Sequence, residues 1–267
     1  MSQSLRTHAR TVRIAVVIPA LDEEAALPLV LAEIPRDRVD VVVVVDNGSR
    51  DRTAIVARDA GAFVVSEPRR GYGSACLAGL AVLLERGAGE HPPLADGDIV
   101  VFLDADHSDH AAELPLLVDP ILSGRAHFVV GARSADPASR AALTPQQRFG
   151  NELACRLMRI LFGTRFSDLG PFRAIRVDAL RHLAMRDRDY GWTVEMQLKS
   201  RVAGLTALEV PVHYRDRIGT SKISGTVWGS LRAGWKILGW ILGWRITLAW
   251  PGKRLPKFHA RAPNAAR

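Results

Sequence analysis

Hydrophobic positions in this chain come in short unbroken blocks, separated by stretches in which apolar and polar residues alternate at helical spacing. The block RIAVVI at 13–18 predicts a buried strand ending at Pro19, and Asp22, Glu23 and Glu24 predict the acid-rich start of a helix. VDVVVVVD, from Val39 to Asp46, predicts a second strand. Its unbroken β-branched run suits a parallel sheet covered on both faces. Asn47 and Gly48 supply a turn, and Ser49 or Asp51 can cap a helix over Thr53 to Ala60.

AFVVSEP predicts a third strand, Ser74 to Glu85 a helix, Ile99 to Leu103 a fourth strand and Phe128 to Arg133 a fifth. Strands alternating with helices make a doubly wound α/β sheet, in which ligands bind beyond the carboxyl ends of the strands. Asp46, Glu67, Asp104, Asp106 and Arg133 all fall at or just past such ends. Further on, Pro137 to Pro145 reads as a loop and Gln146 to Phe162 as a helix. A turn and short strand follow over Asp168 to Arg176, then a helix over Thr193 to Val202 and a last strand over Leu208 to Val212.

Charge sharpens this picture. The chain carries a net charge of +8, and after Asp216 it has no acidic residue. Such a one-sided field favours anionic partners: phosphates, acidic lipid or nucleic acid. No nucleic-acid module accompanies the charge, so no nucleic-acid partner is expected. The residues Trp228, Trp235, Trp240, Trp244 and Trp250 are interleaved with Arg232, Lys236 and Arg245. The uncharged run Ile237 to Trp244 is far short of the roughly 20 residues that span a bilayer. An interfacial membrane helix, packing on the catalytic domain and a homodimer contact all fit that composition. Cys76 and Cys155 stand apart in apolar helical patterns, so no disulfide framework follows. The basic N-terminus has no apolar run before the first strand, so no signal peptide is expected. A cytoplasmic protein, peripheral on the membrane face if the tail binds lipid, is the expectation.

The candidate chemistry concentrates in VVFLDADHSD, Val100 to Asp109. In extended backbone, residues two apart point to one side, so Asp104 and Asp106 can face one pocket. A divalent cation relieves their repulsion, and diphosphate oxygens and water can complete its shell, which suits Mg²⁺ or Mn²⁺. There is no GxGxxG after the first strand and no P-loop lysine, which argues against dinucleotide enzymes and ATPases of those types. Asp46 reads either as a turn residue or as a base or ribose ligand. Arg70, beside Gly71 and Gly73, is placed to meet phosphate oxygens. Arg133, Arg148, Arg173, Arg215 and Lys222 add positive charge for a leaving diphosphate or an anionic acceptor. His213 reads as a diphosphate or metal contact or as a structural residue.

VIPALDEE at 17–24, VDNGSRDRT at 45–53, RGYGSA at 70–75 and LDAD at 103–106 together resemble the inverting family 2 glycosyltransferases of GT-A fold. SDLGPFRAIR at 167–176 and RIGTSKI at 217–223 extend the similarity to the bacterial dolichyl- or polyprenyl-phosphate mannosyltransferase-like branch. The resemblance implies a Rossmann-like, mostly parallel sheet flanked by helices. It also implies that Pro19, Leu21, Glu23 and Asp46 hold the nucleoside, Asp104 the ribose or diphosphate, and Asp106 the metal. Asp104, from the paired-carboxylate geometry, and His213, from its residue type, are further candidate metal ligands. The branch often carries Gln two positions after the second aspartate; here that position is Ser108.

An inverting transfer to a hydroxyl needs a carboxylate to take its proton. Glu195, placed as in relatives that act on alcohols, and Asp168 are the candidate bases, with Trp192 able to stack on a sugar. A lipid-phosphate acceptor hardly needs a base. The expected organisation is a flexible N-terminus over 1–12, a GT-A catalytic domain over 13–225, an amphipathic Trp-rich helical extension over 226–250 and a basic flexible tail over 251–267. The expected reaction is metal-dependent, inverting transfer of mannose or glucose from a GDP- or UDP-sugar to polyprenyl phosphate. The alternatives are a soluble enzyme acting on a small hydroxyl acceptor and a metal-dependent nucleotidyltransferase.

Overall fold

The computed structural model describes residues 12–133, 137–219, 238–244 and 256–259. The strands β1 (Ile14–Ala20), β2 (Val41–Asp46), β3 (Phe63–Ser66), β4 (Ile99–Phe102), β5 (Phe128–Ala132), β6 (Arg173–Arg176) and β7 (Ala207–Pro211) form one sheet. Its order is β3-β2-β1-β4-β6-β5-β7, and only β6 runs antiparallel to its neighbours β4 and β5. The valine run of β2 is explained by burial on both faces. Val42 and Val44 enter one apolar layer while Val43 and Val45 enter the other.

Helices cover both sides. On one face α1 (Leu27–Glu33) and α4 (Leu114–Leu122) pack Leu27, Leu31, Leu114 and Leu117 over Val16 and Val101. On the other, α3 (Tyr72–Ala81), α7 (Val177–Leu183) and α8 (Trp192–Ala203) bring Cys76, Leu80, Leu183, Trp192 and Met196 over Val17 and Phe102. A Cβ at Gly79 would collide with Val17 and Val45, so glycine lets α3 lie close on the sheet. The other helices are α2 (Thr53–Asp59), α5 (Pro137–Ala142) and α6 (Pro145–Phe162). Helix α6 opens on a Thr144–Gln147 capping box and packs Ala154, Cys155 and Met158 against Val194 and Leu198 of α8. Both cysteines are free and buried.

Three elements differ from the sequence expectation. The first helix starts at Leu27, after the acids: Asp22 has a φ of 53° and Asp22 to Glu24 turn instead toward the loop after β2. The expected loop at 137–145 contains α5. Helix α7, two turns long, is too short to show a helical period in sequence. Of the expected Trp-rich extension, residues 238–244 are helical, with Ile241 fully buried against α6 and α8. The rest of 226–250 lies outside the described residues, as do Lys222, Trp228, Trp235 and Trp250. Among the described residues no helix is long and apolar enough to cross a membrane.

Candidate active site

The strand order reverses between β1 and β4, the kind of switch point at which α/β sheets bind ligands beyond the carboxyl ends of their strands. The loops after β1 and β2 form one wall and are laced by side chains. The Asp22 N–H donates to Ser49 Oγ at 3.0 Å, the Glu23 N–H to Thr53 Oγ1 at 2.8 Å, and the Arg50 N–H to Asp22 Oδ1 at 2.7 Å. Asp46 accepts the Ser49 N–H at 3.2 Å, holding its own turn. The Asn47 amide donates to the Glu67 and Arg69 carbonyls and accepts the Gly71 N–H, tying in the loop that carries Arg70. Arg70 is exposed and donates to the Gly48 carbonyl at 2.9 Å. Pro19 ends up inside β1, with Leu21 partly exposed at the rim.

The opposite wall is the stretch after β4. Tyr72, at the start of α3, donates to Asp104 at 3.0 Å. Burial, followed by repulsion from Asp106, pushes the Asp104 carboxyl up to about 7. Asp106 is 6% exposed and accepts the Ser108 N–H at 3.0 Å and the Ser108 hydroxyl at 2.5 Å. Ser108 therefore stands where the branch often has Gln and spends its hydroxyl on orienting Asp106. Asp109 is 1% exposed, and among the described residues neither of its carboxylate oxygens has a hydrogen-bond partner. Burial and the charge of Asp104 push it well above the usual carboxylate range. It does not cap the following helical turn, whose N-cap residue is His110.

The segment after β7 lies across these acids. Tyr214 forms a β-bridge with Asp109, and the Arg215 and Ile218 N–H groups donate to the Ser108 and Asp106 carbonyls, both at 3.0 Å. The Arg215 side chain donates to the His107 carbonyl and to both oxygens of Glu33, so it fastens the segment rather than facing the crevice. Arg217 lies 3.1 Å from both Asp106 and Glu23 and joins the two walls. Sequence reasoning missed Arg217, Tyr72 and Thr53 as site residues. Arg217 opens the RIG stretch and Tyr72 sits in RGYG, so both lay inside the quoted motifs.

Several expected site residues are turned to other work. Glu195 is fully buried; its carboxylate pairs with Lys199 at 2.7 Å and accepts the Arg186 and Asp187 N–H groups. Asp168, also fully buried, takes Arg133 in a two-pronged pair and accepts the Arg133 N–H at 2.7 Å. Arg133 lies over the Tyr214 ring at 5.0 Å. Arg173 is fully buried and donates to the carbonyls of Leu169, Gly170 and Thr193, and burial draws its pKa down to about 10. Trp192 is a core residue edge-on to Phe102, with no face offered to a sugar. His213 pairs with Glu113 and its side chain is 69% exposed. Arg148 is exposed on the first turn of α6.

Among the described residues, no three His, Cys, Asp or Glu side chains gather closely enough to hold an ion by themselves, so the set Asp104, Asp106 and His213 is not assembled. The crevice nevertheless suits a hard cation. It gathers the all-oxygen donors Asp104, half-buried, and Asp106, buried, near Asp109, whose carboxylate has no hydrogen-bond partner among the described residues, and a bound diphosphate can supply the missing oxygens.

Comparisons with known proteins converge on one family. The family model described as "Glycosyl transferase family 2" matches residues 15–184. An uncharacterized glycosyltransferase of Mycobacterium tuberculosis is 37% identical over 229 residues, covering 84% of this chain and 97% of that one. An undecaprenyl-phosphate mannosyltransferase of Micrococcus luteus is 30% identical over 256 residues, covering 91% and 98%. The solved glucosyl-3-phosphoglycerate synthase of M. tuberculosis, crystallised with Mn²⁺, UDP and phosphoglyceric acid, is 25% identical. It superimposes with a TM-score of 0.66, covering 88% of this chain and 78% of that one. With its mostly parallel sheet, its strand-end acids and this match over most of its length, the chain belongs to glycosyltransferase family 2.

Proposed function

We propose that this glycosyltransferase moves a hexose from a UDP- or GDP-sugar to polyprenyl phosphate with inversion at the anomeric carbon. The observation that carries this reading is the state of the two carboxylates suited by sequence to deprotonate a hydroxyl. Glu195 is spent on Lys199 and two backbone N–H groups, and Asp168 on Arg133. The third acid, Asp109, is closed over by Tyr214. A phosphate acceptor needs none of them, because its oxygen is already anionic at neutral pH. That oxygen forms the new bond to the anomeric carbon while the bond to the donor diphosphate breaks on the opposite side, and no proton is removed.

The nucleoside lies against Pro19, Leu21, Glu23 and Asp46, and the diphosphate lies between Arg70 and the Asp104–Asp106 wall. Asp106, oriented by Ser108, and Asp104 would hold Mg²⁺ or Mn²⁺, which supplies charge neutralisation for the departing diphosphate. Arg217, at the junction of the two walls, is placed to meet the same developing charge.

Helix α6 supports an approach to lipid. Phe149 and Ile160 are 70% and 71% exposed, and at 3.6 residues per turn they return to nearly the same face. The exposed Arg148, Arg156 and Arg159 accompany them, a mixture suited to an anionic membrane surface. The protein is then peripheral on the face where polyprenyl phosphate presents its headgroup.

A second reading is favoured by the structural likeness to the synthase crystallised with phosphoglyceric acid: transfer to a small phosphorylated hydroxyl acceptor. Supplying the enzyme with labelled UDP- and GDP-hexoses, Mn²⁺ and either polyprenyl phosphate or phosphoglyceric acid separates the two. Label in the lipid phase is the expected result, and label only in phosphoglyceric acid would overturn the lipid assignment.

A further inference from the structure

The short helix 238–244 is connected by polar contacts to the loop that carries Arg70 and Tyr72. The Trp240 indole N–H donates to the Asp187 carboxylate. Trp244 stacks on Trp240 with ring centroids 6.3 Å apart, and Lys199 Nζ lies 5.7 Å from the Trp244 ring. Lys199 pairs with Glu195, whose other contacts are the Arg186 and Asp187 N–H groups. Both tryptophans thus hold the same segment, one through Asp187 and one through the Glu195–Lys199 pair.

That segment presses its backbone on the donor loop. The Arg188 carbonyl accepts both the N–H of Ser74, at 2.9 Å, and its hydroxyl, at 3.1 Å. The carbonyls of Arg188 and Asp187 leave no room for a Cβ at Gly71 or Gly73, and Gly71 has a φ of 139°. Tyr72, between those glycines, holds Asp104. Gly191, at the start of α8, has no room for a Cβ because Trp240 lies against it. Ile241 and Trp244 already give 238–244 apolar contacts with the α6–α8 cluster. Burying Asp187, Glu195 and Lys199 as well, at 6%, 0% and 4% exposure, is unfavourable unless their geometry matters elsewhere.

We infer that Trp240, acting through Asp187 and supported by Trp244 on the Glu195–Lys199 pair, is a positioning residue for nucleotide-sugar binding: it fixes residues 71–74 and thereby the Tyr72–Asp104 contact. No residue of 238–244 need touch the donor. Glu195 acts in the same path, as a backbone clasp.

The inference rests on the proposed donor site, and the test keeps the two apart. Binding of UDP and GDP with Mn²⁺ is measured by calorimetry on the full chain and on Trp240→Phe and Asp187→Ala, alongside thermal melts. Amide exchange over residues 70–76 is followed without any ligand. Trp240→Phe keeps an aromatic ring but removes the indole N–H together with the five-membered ring, so the melts report the packing that is lost with it. It is expected to weaken nucleotide binding about tenfold, the equivalent of one charge-assisted hydrogen bond, and to raise the donor KM while kcat changes little. Exchange at the Ser74 amide should accelerate. Asp187→Asn, which keeps an acceptor for the indole, should restore most of the affinity lost in Asp187→Ala. Unchanged Ser74 exchange, or a lower melting temperature with nucleotide affinity within twofold of wild type, would overturn the inference. If the wild-type chain binds neither nucleotide, the proposed function fails and this inference falls with it.

Discussion

Arg217 Nη1 lies 3.1 Å from Asp106 Oδ2, while Nη2 of the same guanidinium lies 3.1 Å from Glu23 Oε1. One cation therefore spans the acids from opposite walls of the crevice, on the carboxylate proposed to hold the metal. A divalent ion approaching Asp106 has to displace it or share the carboxylate with it. Arg217→Met is expected to raise the affinity for free Mn²⁺ about tenfold, since the arginine no longer competes. Turnover should fall, because the leaving diphosphate loses a donor. Titration with Mn²⁺ alone, followed by the paramagnetic signal of the free ion, measures the first effect. Unchanged affinity would separate Arg217 from the metal position.

Asp104 gives a pH dependence of defined sign. Its folded pKa is raised from 3.8 to about 7, first by burial and then by Asp106. A carboxyl raised in this way contributes stability that is fully present below its unfolded value and is lost as pH rises through the folded one. Asp104→Asn is neutral at every pH and escapes that loss. The melting temperature of ligand-free Asp104→Asn should therefore exceed that of wild type by a margin that grows from pH 4 to pH 8. The corresponding difference in unfolding free energy should reach on the order of a few kcal/mol at most. Melting curves across that range test it, and a pH-independent margin would mean that Asp104 is not raised.

The strand ends that carry the proposed donor site were legible in the sequence because each has a local signature. An unbroken β-branched valine run suits a strand covered on both faces, and the acid at its end then stands at the carboxyl end of the sheet, as Asp46 does. The pair Asp104 and Asp106 follows the same logic after β4. The acceptor half was less legible because burial is a long-range property. An acid on the first turn of a helix looks identical whether it faces solvent or, like Glu195, meets Lys199 one turn on and a loop eight residues earlier. Arg173 and Trp192 were misjudged for the same reason, since guanidinium and indole suit a binding site and a satisfied core position equally well. Arg217 needed the pairing of residues 214–218 with 106–109, which no local pattern announces.

The Arg133–Asp168 pair predicts a stability effect separable from the chemistry. Their side chains are 12% and 0% exposed, and Asp168 accepts from the guanidinium and from the Arg133 N–H. Removing the charge from one partner leaves the other buried without compensation, a loss of about 3–5 kcal/mol. Asp168→Asn should lower the melting temperature by roughly 6–20 °C for a domain of this size. Its kcat at a temperature where it is folded should stay within a few-fold of wild type. A stable variant whose kcat collapsed would instead return Asp168 to the role of base.

Membrane approach through α6 can be tested without touching the crevice. Phe149 and Ile160 are the large apolar side chains that the helix leaves exposed, and replacing both with serine removes apolar contact area while leaving the buried Ala154, Cys155 and Met158 face intact. Burying apolar surface is worth about 25 cal/mol per Å². Two such side chains account for about 3–6 kcal/mol if they enter the lipid fully, and for less at an interface. Sedimentation with vesicles containing anionic lipid should show the double variant bound at least tenfold more weakly than wild type, with both binding more weakly as salt rises, because the arginines remain. Transfer to a water-soluble, short-chain polyprenyl phosphate should be unaffected, while transfer to the long-chain acceptor in vesicles should fall. Equal vesicle binding by the two proteins would remove α6 as the lipid-facing element.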